Sequence, residues 1–271
     1  MSNQPLRYLS LFSGIGGMDL GFDRAGMVCA GQVEIDDYCR RVLARHWPDV
    51  PRMNDVREVH GDEFGAVDLI CGGFPCQPHS VAGQQRGAAD DRNLWPEMRR
   101  LVAAIRPAWV VGENVPGIRS TILDEVVSDL EGKDYEVGIL DFPACGLQAW
   151  HIRARIYIIA YLPHSRRVGL EGAQRQGAHC PARQQEAFGR HLLSDRDGIG
   201  RERWAGQPGE SGRRQPEDRD WWAAEPGVGR VVHGLPHRMD RIKGLGNAVV
   251  PQVAEWLGRH IVAAEMEVNP Q

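Results

Sequence analysis

The run Gly72-Gly73-Phe74-Pro75-Cys76-Gln77-Pro78-His79-Ser80 holds the residue of this chain best equipped for covalent chemistry, Cys76. Glycines and prolines on either side fix the course of a loop with the thiol inside it. A thiol attacks only as its thiolate, which calls for exposure and an electropositive setting, and an inert core cysteine needs no such punctuation. The remaining cysteines, Cys29, Cys39, Cys71, Cys145 and Cys180, show no Cys-x-x-Cys spacing. That pattern argues against a zinc knuckle and against a disulfide framework.

Three further constellations carry chemistry. In Val110-Val111-Gly112-Glu113-Asn114-Val115-Pro116 an apolar run ends in a carboxylate. Its apolar approach predicts a desolvated Glu113 with a raised pKa, a proton donor near neutrality. In His151-Ile152-Arg153-Ala154-Arg155 strict alternation places His151, Arg153 and Arg155 on one face of a strand. The run Leu11-Phe12-Ser13-Gly14-Ile15-Gly16-Gly17 reads as a tight turn between a strand and a helix, with the backbone free to approach a ligand. Glu34 closes the next strand roughly 20 residues beyond Gly14, where an acid can grip a ribose. A nicotinamide or flavin site is the competing reading of this turn. Gly17 comes too early for Gly-x-Gly-x-x-Gly, so a phosphate-free nucleoside such as S-adenosylmethionine fits better.

The elements that would position these residues follow from hydrophobic periodicity. Tyr8–Leu11, Val28–Val33, Asp68–Cys71 and Trp109–Glu113 read as strands, with Val137–Leu140 and Ile156–Tyr161 closing the sheet. Glu97–Ile105, stopped by Pro107, and Ile122–Leu130 read as helices, as does Val249–Val262 with Pro251 near its first turn. Short apolar runs alternating with amphipathic stretches mark a doubly wound, mostly parallel α/β sheet. From His164 to Gly229 the chain turns rich in Arg, Gly, Gln and Glu. Trp204, Trp221 and Trp222 make an irregular folded insert a better reading than a solvated linker, because three indoles are costly to leave in water.

Totals set outer bounds. The 271 residues are 42% hydrophobic and 25% charged, enough for a substantial core. No apolar run reaches the roughly 20 residues of a membrane span, and the N-terminus has no signal-peptide core. A cytoplasmic protein is expected. The net charge of −4 disfavours a nucleic-acid partner on average, but it is unevenly spread. His164–Lys243 holds 15 Arg and Lys against 11 Asp and Glu, an excess of four, which leaves the rest of the chain at −8.

Phe-x-Gly-x-Gly-Gly, Pro-Cys-Gln, Glu-Asn-Val, Arg-x-Arg and the late Gly246-Asn247-Ala248-Val249-Val250-Pro251 occur in that order. Together they resemble the DNA cytosine-5 methyltransferase family, of the restriction–modification and phage type, over nearly all of the chain except His164–Val232. The resemblance implies the Rossmann-like fold of S-adenosylmethionine-dependent methyltransferases and methylation of cytosine C5 in double-stranded DNA on a flipped-out base. It matches Cys76 to the nucleophile, Glu113 to the group on N3 of the base, and Arg155 to the partner of its O2. Arg153 and Asn114 match supporting positions. Phe12, Gly14, Gly17, Glu34, Ile35, Asp55, Val56, Pro75 and Asn247 match cofactor-binding positions, with Glu34 on the ribose hydroxyls and Asp55 near the adenine amine.

The implied division is a catalytic domain over 1–163, a target-recognition insert over 164–232, and a segment over 233–271 that returns to complete the cofactor pocket. Arg213, Arg214 and Arg219, beside Trp221 and Trp222, are the first candidates for contacts to DNA. A monomer without a metal is expected. Two positions depart from the family pattern: Ser10 replaces an acid two places before Phe12, and His151 takes the place of a glutamine before the arginine pair. The tRNA-methylating branch differs around the cysteine, and a non-catalytic relative would not keep Cys76, Glu113 and Arg155.

Overall fold

The computed structural model describes residues 4–75, 93–143, 153–163 and 238–268. The chain divides into two compact units, Met1–Arg175 with Lys243–Gln271, and Gln176–Ile242. Nearly all of the described residues belong to the first.

That unit is built on one seven-stranded sheet. In chain order the strands are β1 (Arg7–Leu11), β2 (Val28–Val33), β3 (Arg52–Met53), β4 (Leu69–Gly72), β5 (Trp109–Asn114), β6 (Glu136–Pro143) and β7 (Ala154–Tyr161). The helices are α1 (Gly17–Arg24), α2 (Asp37–His46), α3 (Trp95–Ile105), α4 (Leu123–Glu131), α5 (Arg238–Asn247) and α6 (Pro251–Val268). Short 3-10 turns follow β3 (Val56–Glu58) and β5 (Pro116–Ser120).

The strand order is β3-β2-β1-β4-β5-β7-β6. The first five are parallel, whereas β7 runs antiparallel to both β5 and β6. The order reverses direction between β1 and β4, and open α/β sheets bind ligands at the strand carboxyl ends beside such a reversal. The mostly parallel, doubly wound sheet is thus the one expected from the sequence. Leu9, Leu11, Ile70, Val110, Ile156 and Ile158 are buried on one sheet face under Met98, Leu101 and Val102 of α3. On the other face Tyr8 packs against Phe22 of α1, and α1 in turn packs on α6, whose Val253, Leu257 and Ile261 are buried.

Local chemistry explains where elements begin and end. Asp36 caps α2 by accepting hydrogen bonds from the backbone N–H groups of Tyr38 (3.0 Å) and Cys39 (3.1 Å). In α3, Pro96 sits in the first turn, and the helix ends at Arg106 in a left-handed conformation just before Pro107. The ring of a proline disfavours helical backbone in the residue before it, so the stop inferred from Pro107 acts one residue earlier. Pro251 opens α6, where a missing N–H costs nothing, and the helix runs to Val268, beyond the Val262 expected from periodicity.

Candidate functional site

At the carboxyl edge of β1, Phe12 adopts a positive φ of 54° with its ring packed against the core. This backbone is uncommon for a side-chain-bearing residue and turns the chain sharply off the sheet. The turn is fastened to β2 by Ser13 N–H donating to Val33 O (3.2 Å) and by Gly14 N–H donating to Glu34 Oε2 (2.7 Å). The other oxygen of Glu34 accepts from Asp36 N–H at 2.8 Å. Each carboxylate oxygen keeps a lone pair for a further donor. Ile35, next along, is 65% exposed despite its large apolar side chain.

Asp55 and Val56 follow β3. Asp55 accepts from Arg57 N–H (3.0 Å), and Val56 is buried. Arg100 of α3 donates to Val56 O (3.0 Å) and Val59 O (2.7 Å), a support that the sequence reading missed. A buried acid, a turn of N–H groups, an exposed apolar side chain and a second acid thus line one rim. This donor and acceptor set suits a nucleoside with vicinal hydroxyls and an amine-bearing ring.

The second half of the site lies across the sheet, where Leu11, Gly72 and Gly112 stand on one rung. β4 stops at Gly72, but β5 continues through Glu113 and Asn114, paired there only with Tyr157 and Ile156 of β7. In this notch Asn114 Nδ2 donates to Phe74 O (3.0 Å). A Cβ on Gly73 would stand 2.8 Å from Glu113 Oε2, so any larger residue there would press on that carboxylate. Leu94 N–H donates to Pro75 O (3.2 Å), which brings the two ends of the segment containing Cys76 to one point. Cys76 itself lies outside the described residues, as do His151, the expected insert over 164–232 and its candidate arginines Arg213, Arg214 and Arg219.

Glu113 is buried, and its Oε1 lies 2.9 Å from Arg155 Nε. Burial raises its pKa above the usual carboxylate value; Arg155 first and Arg153 second pull against that rise without cancelling it. The direction agrees with the expectation from the apolar run. Arg155 reaches Glu113 because β7 is antiparallel, so that its beginning lies at the edge where β5 ends.

Arg153 corrects the sequence reading. β7 starts only at Ala154, and Arg153 precedes it with a φ of 26°. The positive φ breaks the extended, period-two backbone at Arg153, which lies outside the strand but still close enough to act on Glu113. Its Nη2 donates to Gly246 O and to Ala248 O, both at 2.7 Å. Asn247 lies between those carbonyls at the end of α5. Next to it, Val249 O occupies the space that a Cβ on Gly17 would need. Lys243 Nζ pairs with Asp36 Oδ2 at 2.8 Å, a tie across this rim that composition alone did not reveal.

Among the described residues no group of three His, Cys, Asp or Glu side chains could hold a metal ion, and no helix is long and apolar enough to cross a membrane.

Comparison with known proteins places this geometry. Residues 6–194 match the family model of the C-5 cytosine-specific DNA methylases. The chain is 33% identical over 140 residues to the Type II methyltransferase M.HgiCII of Herpetosiphon aurantiacus, covering 49% of this chain and 32% of that protein. It is 30% identical over 166 residues to the Type II methyltransferase M.DsaV of Dactylococcopsis salina, covering 59% and 47%. These matches therefore span less than half the length of either relative. A prophage-encoded E. coli protein, described as a DNA modification methyltransferase, superimposes with a TM-score of 0.51 at 29% identity, over 62% of this chain and 49% of that one. The fold is shared with Spodoptera frugiperda DNMT2, at a TM-score of 0.51 and 19% identity over 65% of this chain and 55% of that one. The motif order, the sheet topology and the match across most of its length agree: the chain belongs to the C-5 cytosine-specific DNA methylase family.

Proposed function

We propose that this protein transfers a methyl group from S-adenosylmethionine to carbon 5 of cytosine within a specific double-stranded DNA sequence. The observation that carries the reading is the buried Glu113–Arg155 pair in a notch of the sheet, with Pro75, the neighbour of Cys76, on the adjoining chain. Type II relatives support a place in restriction–modification. The reading assigns 1–163 and 233–271 to cofactor and chemistry, and 164–232 to target recognition.

Carbon 5 of cytosine is a poor nucleophile, and the site residues are suited to change that. The base leaves the duplex, as enzymes that modify bases require. Cys76 reacts as its thiolate and its sulfur bonds to C6; the C5–C6 π pair shifts through the ring as Glu113 passes its proton to N3. Arg155 holds O2 and, beside Glu113, offsets the charge left on the carboxylate. C5 is now electron-rich. S-adenosylmethionine, when bound, supplies the electrophilic methyl group that such a carbon accepts. Loss of the C5 proton to a base then restores the C5–C6 double bond and expels the Cys76 thiolate, and N3 returns its proton to Glu113. Glu34, Gly14, Ile35, Asp55, Val56, Phe12, Gly17, Pro75 and Asn247 are the residues that would hold the cofactor, with the hydroxyl-accepting role on Glu34.

Cys76→Ala should abolish methyl transfer while cofactor binding, read by calorimetry, stays near that of the wild type. DNA carrying 5-fluorocytosine should trap the wild-type protein as a covalent complex, since fluorine cannot leave C5 as a proton. A variant that keeps about a tenth of wild-type turnover would remove Cys76 from the mechanism, because losing a covalent route should cost far more.

A further inference from the structure

We infer that Arg153 is a positioning residue that holds the C-terminal wall of the cofactor site, while Arg155, two residues on, serves the base; the inference rests on the reading above. Its Nη2 donates to two carbonyls on either side of Asn247, at 2.7 Å each, from a position 93 and 95 residues earlier in the chain. Both are hydrogen bonds from a charged donor, the stronger class.

The same short segment is held at two other points. Lys243 pairs with Asp36, the cap of α2 immediately beyond Glu34 and Ile35. Val249 O lies against the missing side chain of Gly17, and Gly244 lies against Ile15 of the turn. Arg153, immediately before the first residue of β7, thus links this wall to the strand that carries Arg155. The positive φ of Arg153 is the local device that sends the two arginines to different tasks.

Arg153→Ala should weaken S-adenosylmethionine binding by about tenfold or more, as expected when hydrogen bonds from a charged group are lost. The activity deficit should shrink as cofactor is raised to saturation, and affinity for DNA should change by less than about threefold. Arg153→Lys, whose ammonium group can donate to both carbonyls, should recover most of the cofactor affinity. Hydrogen exchange should show faster exchange in peptides covering 243–251 of Arg153→Ala, with β1 and β5 unchanged. That measurement separates a released wall from a misfolded variant.

Unchanged cofactor affinity in Arg153→Ala, or a deficit that persists in full at saturating cofactor, would return Arg153 to the base and overturn the inference. So would an Arg153→Lys variant as weak as Arg153→Ala. Wild-type protein that neither binds S-adenosylmethionine nor is trapped by 5-fluorocytosine would instead sink the proposed function itself.

Discussion

Glu113 and Asp19 are both buried carboxyls, and their neighbours set them apart. Glu113 has Arg155 at 2.9 Å and opens onto the site. Asp19 of α1 is fully buried under the sheet and receives only neutral donors, Ser10 Oγ at 2.9 Å and Gln32 Nε2 at 2.8 Å. Burial pushes its pKa up to about 6, against the hydrogen bonds from Gln32 and Ser10 that hold it down and with a small contribution from Asp23. Tyr8, Asp23, Cys29, Cys71 and the Arg52 guanidinium are the other titratable groups around it. Because the folded value lies above the unfolded one, stability is fully present below pH ~4 and falls as pH rises through about 6. The loss is on the order of 2–3 kcal/mol. Asp19→Asn should flatten that decline, so thermal unfolding scans at pH 5 and pH 8 should differ less than in the wild type. An equally steep decline in the variant would assign it to another group. Ser10, which stands where the family has an acid, thus meets a carboxylate brought in from the helix.

At the scale of elements, the close packing of α1 on α6 is where the structure leaves least room. A Cβ on Gly21 would lie 2.5 Å from Pro251 O and against Ala254 and the N–H of Glu255. Gly21→Ala should therefore destabilise the fold by about 1–3 kcal/mol, the usual cost of overpacking, despite alanine's higher helix propensity. Denaturant unfolding decides this: a neutral or stabilised variant would mean that the two helices separate easily. Legibility from sequence differed between elements for physical reasons. β2 was readable to the residue, because an apolar run meets Glu34. α2 was not, since only Cys39 and Leu43 of its residues are buried and most of the rest are polar or charged. α5 carries two glycines and little periodicity, and β3 is only two residues long. The placement of Glu113, Asn114 and Glu34 at the sheet edge was legible because each stands at the end of an apolar strand. The task of Arg153 was not, because a single backbone angle redirects it and its partners come from the far end of the sequence.

At the scale of the whole molecule, the proposal separates chemistry from sequence choice. The chemistry sits on a sheet edge assembled from β1, β2, β4, β5 and β7. The stretch over 164–232, outside the described residues, carries the basic excess together with its flank. Replacing it with the equivalent stretch of a relative with a different target should redirect methylation, as read by mapping 5-methylcytosine in cellular DNA. An active chimera that still marks the original sites would show that recognition lies elsewhere.

The hydrogen bond from Trp109 Nε1 to Glu265 Oε1, at 2.8 Å, has a consequence for how such a chain can be written in a gene. α6 starts beside Gly17 and Gly21 at the ligand edge and runs alongside α1, so that Glu265 arrives at the opposite edge, where β5 begins. β1 begins at that same edge: Tyr8 stands opposite Leu69, and Leu69 opposite Trp109. The last turns of α6 therefore finish over β5, displaced along the sheet by about two strand spacings, roughly 10 Å, from where β1 starts. Space does not require that β1 be translated first. An open reading frame rearranged so that α5 and α6 came before β1 would ask only for a short join at the edge away from the ligands, leaving every site residue on the strand end it occupies now.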